Sequence, residues 1–304
     1  MKKKLSTRKK ILLTITIVFV IIVTFITSQF SMIGEYMALA SLGGIVKKTD
    51  SEAFVGKETR IDFGKDPQQH ILIIQPPANV PTQKKAVFFS HGGGWKMGSP
   101  EQYKFVGRFF ANLGYPTILA GYRLAPKNTY PIQNEDILQS FIAGRDFFCD
   151  ENISIDSFIL GGHSAGAQLV SLLAMDNKWL GKDNSLVSGL FTISGPLDFY
   201  YCQSGNIKKL IDGYIGQEND FSIANPILYA TYDNTISVLS LHGAKDPVVN
   251  PDCSKSFVAK LNSVSTKKAS LHISEKRYHS DMMKLFYEAS TETKILTDWI
   301  KTIE

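Results

Sequence analysis

Cysteine is scarce in this chain of 304 residues, and the few that occur suggest neither a cross-linked domain nor a zinc site. Cys149, Cys202 and Cys253 are widely spaced and odd in number, without the short Cys or His spacings typical of zinc ligands. One pair could join in an oxidising compartment, but the sequence does not choose which. A dense disulfide framework is therefore excluded.

An excess of basic charge is also missing from most of the chain. The formal net charge is +5, but six of the 33 Lys and Arg residues lie before residue 11, where there is no acid. The other 27 face 28 acidic residues, which leaves a net charge near −1. A nucleic-acid partner is not indicated, because such a partner requires a basic face on the folded domain rather than a basic tail.

Charge is absent altogether from residues 11–33, and this long apolar run predicts a transmembrane helix that acts as a signal anchor. Because the preceding flank is basic, we expect residues 1–10 to stay in the cytoplasm and the chain after residue 33 to be exported. The membrane is then a partner through residues 11–33. The alternative is a secreted protein, released by signal cleavage near Ala38-Leu39-Ala40, although the run is longer than a usual signal peptide.

After a linker over residues 34–57, residues 58–304 predict a single α/β domain. Short apolar runs alternate with helical patterns, which is typical of βαβ units and of a mostly parallel eight-stranded sheet with helices on both faces. The predicted strands are Arg60–Phe63, His70–Gln75, Lys85–Ser90, Pro116–Ala120, Ser157–Leu160, Val187–Ser194, Ile236–Leu241 and Ser270–Ser274. The predicted helices lie near 101–113, 132–148, 165–175, 253–264 and 281–303. Residues 201–230 are less regular and suit either a small lid or an ordinary connection with one helix at Ile207–Gly213.

Ser164 is the candidate nucleophile. It stands in Gly162-His163-Ser164-Ala165-Gly166, after a strand-like segment and before a helical one, as a nucleophile elbow requires. The following helix directs its positive N-terminal end toward the serine. A Gly-x-Ser-x-Gly pattern occurs by chance in about one chain in ten of this length, so the assignment depends on other motifs.

The strongest of these is His91-Gly92-Gly93-Gly94-Trp95, which follows the strand-like segment AVFFS. Successive glycines allow backbone N–H groups to point at one position, where they stabilise an oxyanion. Gly92, Gly93 and Gly94 are the candidate donors, together with the N–H of Ala165. A phosphate-binding loop is the alternative, but no Gly-Lys-Ser/Thr or GxGxxG follows.

Asp246 and His279 complete the candidate site. Asp246 comes directly after a predicted strand, at the sheet edge where open α/β folds place their sites. His279 follows the last predicted strand, and its unperturbed pKa near 6.5 suits a general base. The order Ser, Asp, His is the one expected of α/β-hydrolases. Other acids near the predicted strand ends are Asp136, Asp233 and Asp252. His91, His163 and His242 also lie in turns around the site, where we expect structural roles.

These motifs resemble the esterase and lipase branch of the α/β-hydrolases, which includes relatives of hormone-sensitive lipase, acetyl esterases and kynurenine-formamidase-like enzymes. The resemblance covers residues 58–304 and includes the segment Gly121 to Pro126, similar to the family's YRLAP, and the Tyr130-Pro131 pair before Asp136. Hormone-sensitive lipase relatives usually have Asp where this chain has His163, so the pentapeptide is nearer to the formamidase-like and small esterase groups. A large N-terminal cap is not expected, which argues against long acyl chains.

The predicted function is hydrolysis of small acyl esters through an acyl-enzyme, with Ser164 as nucleophile, His279 as base and Asp246 as its partner. Such a mechanism needs neither a metal ion nor an organic cofactor. The same residues suit an amide, a formamide or a peptide, because both reactions pass through the same tetrahedral geometry. A non-catalytic binding module on the same fold is the alternative from another class.

Overall fold

Eight strands form one mixed sheet in the computed structural model, which describes residues 9, 16, 33–203, 205–216, 220–231 and 235–303. The strand order is β1-β2-β4-β3-β5-β6-β7-β8. β2 runs antiparallel to both its neighbours, and the pairs from β4 to β8 are parallel. The strands are β1 Glu58–Asp62, β2 His70–Ile74, β3 Lys85–Ser90, β4 Thr117–Ala120, β5 Ser157–His163, β6 Val187–Ile193, β7 Ser237–Gly243 and β8 Ser270–Ser274. The predicted mostly parallel sheet of eight strands is confirmed.

Helices cover both faces of the sheet, as predicted. They are α1 over 33–51, α2 Lys104–Asn112, α3 Ile132–Asp150, α4 Ala165–Met175, α5 Gly205–Ile215, α6 Asp252–Val264 and α7 Thr291–Lys301. One apolar core packs the sheet against α3, α4 and α6, and a second packs the other face against α1, α2 and α7. Strands such as β3 are apolar on both sides because both sides are covered.

Helix α1 replaces the linker that the sequence predicted over residues 34–57. Glu35, Ala38, Ile45 and Thr49 are buried at spacings of three, seven and four residues, so they lie on one face of the helix. Ile45 belongs to the core that also contains residues of α2 and α7. Gly34, Gly43 and Gly44 weaken the helical signal of this segment, and packing against the domain compensates for their low propensity.

Two other helical segments differ from their predicted extent. Residues predicted as one helix over 281–303 divide into a 3-10 helix at Ser280–Phe286 and α7. α7 begins anew because the Ser290 side chain accepts a hydrogen bond from the N–H of Thr293 and caps it. Residues 201–230 contain α5 and two short 3-10 helices, Phe221–Ala224 and Pro226–Tyr229, which is more structure than an ordinary connection has.

The predicted membrane span over 11–33 lies outside the described residues, apart from residues 16 and 33. Among the helices of the described part, none is long and apolar enough to cross a bilayer.

Candidate active site

Ser164 lies at a sharp turn between β5 and α4. Its backbone has φ 53° and ψ −122°, a conformation that residues other than glycine rarely adopt. The turn brings chain segments close together, since a Cβ on Gly166 would lie 2.2 Å from the carbonyl oxygen of Ser90. The hydroxyl is therefore presented at the carboxyl edge of the sheet, in the strand-turn-helix context of a nucleophile elbow.

Ser164, His279 and Asp246 are joined by hydrogen bonds. Ser164 Oγ donates to His279 Nε2 at 2.9 Å, and His279 Nδ1 donates to Asp246 Oδ2 at 2.7 Å. Ser164 and His279 are each only 6% exposed, and the side chain of Asp246 is fully buried. The fold thus brings together residues that are far apart in the chain: Ser164 and Asp246 are separated by 82 positions, and Asp246 and His279 by 33. This geometry allows the serine proton to pass to the imidazole.

The Asp246 carboxylate is held by more than His279. The backbone N–H groups of Val248 and Val249 both donate to its Oδ1 at 2.8 Å. His242 Nε2 lies 3.1 Å from its Oδ2, and the other ring nitrogen of His242 accepts a 2.7 Å hydrogen bond from Ser254. His242 therefore has a structural role, as expected, and it fixes the carboxylate that orients the candidate base.

The pKa values of this pair move in opposite directions. Burial alone raises the pKa of Asp246, but the charge of His279 and hydrogen bonds from His242 and His279 lower it well below its ordinary range. Burial alone lowers the pKa of His279, but the charge and hydrogen bond of Asp246 raise it above 6.5. The imidazole is consequently a stronger base than an isolated histidine, as general-base chemistry requires.

Two glycines of the predicted oxyanion hole have free N–H groups. Gly93 has φ 122°, and a Cβ there would lie 2.0 Å from the carbonyl oxygen of Met97. In the described part of the chain, the backbone N–H groups of Gly93, Gly94 and Ala165 donate to no acceptor. Ala165 is the first residue of α4, so the helix dipole favours a negative charge at this position. These three donors suit an oxyanion.

Gly92 does not belong with them. Its N–H donates to the Tyr103 hydroxyl at 3.0 Å, so it is not available to a substrate. Its inclusion in the predicted oxyanion hole was wrong because the sequence gives no sign that a tyrosine eleven residues later satisfies this donor. Gly92 instead fixes the start of the loop that carries Gly93 and Gly94.

A family model described as BD-FAE matches residues 72–261, which is more than half of the chain. The chain belongs to the BD-FAE family. The match includes Gly93, Ser164 and Asp246, whereas His279 lies beyond its end. The predicted kinship with the esterase and lipase branch of the α/β-hydrolases is confirmed.

Curated relatives of this BD-FAE member match only in part. Arylacetamide deacetylase of Bos taurus is 31% identical over 134 residues, which cover 41% of this chain and 32% of that protein. Esterase LipQ of Mycobacterium tuberculosis is 23% identical over 226 residues, which cover 68% of this chain and 53% of that protein. The chain spans about a third to a half of the length of these relatives.

The fold is shared more completely. A solved structure of a Pyrobaculum calidifontis esterase aligns with a TM-score of 0.67 at 20% identity and covers 88% of this chain and 90% of that one. At this identity the likeness concerns the fold alone, which is that of an α/β-hydrolase.

A cavity of about 930 Å³ opens above Ser164 in this BD-FAE member. One wall consists of α1 residues, including Leu39, Leu42 and Val46, and another consists of α5 residues, including Ile207 and Leu210. Its lining is mostly apolar, and its volume is near the upper end of small-molecule sites. Helices α1 and α5 therefore both cover the candidate nucleophile.

Trp95, the last residue of the glycine motif, holds α5 in place. It is fully buried and stacks on Tyr214 with ring centroids 4.7 Å apart. Its Nε1 donates to Gln168 of α4 at 3.0 Å, and Gln168 in turn donates to the carbonyl oxygen of Ala224 at 2.7 Å. The oxyanion loop, the nucleophile helix and the wall of the cavity thus meet at one side chain.

His163, where hormone-sensitive lipase relatives usually have Asp, is neutral. Burial, together with the nearby charge of His279, lowers its pKa to about 3. The Tyr103 hydroxyl donates to His163 Nδ1 at 2.9 Å, and the rings of His163 and His279 are 5.0 Å apart. Residue 163 therefore places a neutral ring, and not a carboxylate, against the ring of His279.

Two of the other acids near strand ends have different roles, and the third is not among the described residues. Asp136 forms a bidentate pair with Arg123 of the YRLAP-like segment and also accepts a hydrogen bond from Gln69. Asp252 is the first residue of α6 and pairs with Lys255, away from the site. Asp233 is outside the described residues. Within those residues, no group of three or more His, Cys, Asp or Glu side chains is arranged to hold a metal ion.

Sequence reasoning missed two residues beside the site. Tyr103 is recognised only by its contacts with Gly92 and His163, since nothing in its sequence neighbourhood marks it. Glu35 accepts hydrogen bonds from Ser280, next to His279, across 245 positions in sequence. An acid within an otherwise apolar stretch was the only available signal for it.

Proposed function

We propose that this protein is a serine carboxylesterase that cleaves small acyl esters through an acyl-enzyme. The observation that carries the proposal is the hydrogen-bonded series Ser164, His279 and Asp246, placed beside three backbone N–H groups that have no acceptor among the described residues. The esterase name of LipQ, a relative over 68% of this chain, supports the same reaction class. A non-catalytic module is disfavoured, because such a module needs no serine hydrogen-bonded to a histidine and a carboxylate.

In the proposed mechanism, Ser164 Oγ attacks the acyl carbonyl while His279 Nε2 takes its proton. Asp246 keeps His279 in the required tautomer and stabilises the imidazolium. The N–H groups of Gly93, Gly94 and Ala165 bind the oxyanion. His279 then protonates the departing alcohol, and a water molecule activated by His279 releases the acid from Ser164.

The cavity supports a division of the substrate into two parts. A volume of about 930 Å³ is more than a small acyl group needs. We propose that Ser164 carries the small acyl group. The alcohol part of the ester, which is larger and apolar, then lies in the cavity against the walls formed by α1 and α5. Two substrate series test this division: one varies the acyl chain on a fixed alcohol, and the other varies the alcohol on a fixed acetyl group.

A second candidate is hydrolysis of an amide. The name of arylacetamide deacetylase, 31% identical over 134 residues, favours an acetamide substrate for this chain as well. An ester and an amide with the same acyl and aromatic parts separate the two candidates. If kcat/KM for the amide is close to kcat/KM for the matched ester, the amidase is favoured. A much larger kcat/KM for the ester would favour the carboxylesterase.

We further propose that residues 11–33 anchor the protein in a membrane, with residues 1–10 in the cytoplasm and the catalytic domain of residues 58–304 exported. The support is the uncharged run and its basic flank. Alkaline carbonate extraction of membranes tests whether the protein is anchored. Protease treatment of intact cells tests on which side of the membrane the catalytic domain lies. Release of a shortened chain into the medium would instead favour signal cleavage.

The decisive experiment replaces Ser164 by Ala. We expect kcat for a water-soluble activated acetate ester to fall on the order of 10⁶-fold, as in other triads that lose their nucleophile. Ser171→Ala is the matched control, because this serine on α4 only back-bonds to the carbonyl oxygen of Ala167. Retention of hydrolysis by the Ser164→Ala protein would exclude the mechanism.

A further inference from the structure

Helix α1 carries an exposed apolar stripe. Ile33, Tyr36 and Met37 are 54%, 66% and 70% exposed, and Ala40 is exposed as well. Positions 33, 36, 37 and 40 have the spacing of a single helix face. The opposite face of the same helix packs against the domain. The stripe itself packs against none of the described residues. Contiguous exposed apolar groups of this kind mark surfaces that bind something.

The stripe continues into the rim of the active-site cavity. Tyr36 and Leu39 of α1 line the cavity and are also exposed to solvent. Met97, from the loop after the glycine motif, is 59% exposed and lines the cavity from another side. The apolar surface therefore borders the open side of the cavity at α1 and at Met97.

Three lysines lie around the same entrance. Lys47 of α1, Lys96 of the glycine loop and Lys209 of α5 all line the cavity and are exposed. None of them forms an ion pair with an acid in the described ranges. The Glu35 carboxylate, also in the lining, is occupied by Ser280. The rim thus combines apolar side chains with unpaired positive charge, which is the composition of protein surfaces that bind anionic lipid.

The position of the stripe in the chain identifies its occupant. Ile33 is the last residue of the uncharged run over 11–33. Eight helical residues rise about 12 Å, so residues 33–40 lie within about 12 Å of the end of that run. We propose that the entrance of the active-site cavity docks on an anionic lipid surface and takes amphiphilic esters from it. This inference rests on the proposed function, and it names the source and class of the substrate.

The first test locates the stripe relative to lipid. Met37→Cys is labelled with an environment-sensitive fluorophore in the full-length Cys149→Ser protein, reconstituted in phosphatidylglycerol vesicles. Cys202 and Cys253 are buried and do not compete for the label. The matched control is Leu113→Cys, an exposed apolar residue that does not line the cavity.

We expect a nitroxide on the lipid headgroup to quench the label at position 37 and not the label at position 113. Quenching at position 37 by aqueous iodide alone would overturn the proposal. Protection of position 37 from both quenchers would also overturn it, because another protein surface, a second copy or residues 11–32 would then cover the stripe.

The second test measures turnover. Ile33→Ser combined with Met37→Ser removes apolar groups that do not line the cavity. We expect hydrolysis of a long-chain alkyl acetate embedded in anionic vesicles to fall at least about tenfold, because even partial burial of two apolar side chains in lipid contributes that much to binding. Hydrolysis of a soluble acetate ester should stay within about twofold. The control is Val55→Ser combined with Leu113→Ser, which should change neither rate.

The two proposals fail in different ways. Equal loss on both esters, or no loss on either, would overturn lipid docking and leave the esterase intact. Absence of Ser164-dependent hydrolysis of the soluble ester would overturn the esterase itself.

Discussion

Glu35 on helix α1 accepts hydrogen bonds from both the N–H and the hydroxyl of Ser280, the residue directly after His279. The carboxylate is only 3% exposed, so water does not screen the contact. The segment nearest the predicted anchor is thereby attached to the loop that holds the candidate base. Among the influences on the pKa of His279, burial lowers it, Asp246 raises it and the charge of Glu35 raises it further.

Replacing Glu35 by Gln tests this attachment. The variant keeps the shape but loses the charge, so the acid limb of the kcat/KM profile should move to lower pH. Glu35→Ala leaves the buried Ser280 N–H without an acceptor and should cost about 1.5–3 kcal/mol of stability in urea unfolding. Glu52→Gln, an exposed carboxylate just beyond α1, is the control and should leave the profile in place. An unchanged profile in Glu35→Gln would show that this carboxylate does not act on His279.

Asp246→Asn should reduce kcat by about 10⁴-fold, because the amide cannot hold His279 in the tautomer that accepts the serine proton. KM should change little, since Asp246 is buried behind the histidine and does not line the cavity. Steady-state kinetics on a soluble ester measure both. Asp252→Asn is the matched control, with wild-type rates expected. Comparable losses in both variants would contradict the assignment of the acid.

The kcat/KM profile of the wild type should rise with pH through a pKa above 6.5, where His279 becomes neutral. Stability should follow the opposite course in that window. A raised pKa contributes stability that is complete below 6.5 and is lost as pH rises through the folded value. The depressed pKa of Asp246 contributes stability above about 3.8 that is lost as pH falls further. Urea unfolding across this range is compared with His279→Gln: the contribution of His279 near neutral pH should vanish in the variant, and that of Asp246 at low pH should only shrink, because His242 still lowers the pKa of Asp246.

Tyr103→Phe should destabilise the fold by about 1–3 kcal/mol, because the buried N–H of Gly92 and the Nδ1 of His163 both lose their partner. Burial also raises the pKa of Tyr103 to about 12, so its hydroxyl stays protonated as a donor at working pH. Tyr201→Phe, at an exposed position, serves as the control in the same unfolding assay. Equal midpoints for the two variants would argue against this bridge.

The oxidation state of Cys202 and Cys253 should show whether the domain lies in an oxidising compartment. Their sulfur atoms are 3.1 Å apart in the buried core, so the structure selects the pair that the sequence left open. In an exported domain, transfer of two electrons and two protons to a disulfide exchange partner would join them. Alkylation of denatured, unreduced protein followed by mass spectrometry should then modify only Cys149. Alkylation of all three would contradict export.

Sequence reasoning succeeded wherever local chemistry decides the structure. The eight strands are marked by short apolar runs, and Ser164, Asp246 and His279 each follow a strand closely enough for their meeting at the sheet edge to be predicted. It failed where a contact joins distant segments. A linker was predicted over residues 34–57, where α1 forms, because Glu35 and Ile45 are held by packing that no local pattern reveals. Gly92 looked equivalent to Gly93 until Tyr103 was seen to occupy its N–H.

The stacking of Trp95 on Tyr214 has a consequence for how this protein could diverge. Helix α5 is fixed through Tyr214 and Ile211, which are buried in the core, while Ile207 and Leu210 on the same face of the helix line the cavity. Because the helix cannot shift without disturbing the loop of Gly93 and Gly94, new substrate preferences are expected to arise by exchanging cavity-facing side chains in place. The substrate preference can then change in evolution while the catalytic residues and their geometry stay the same.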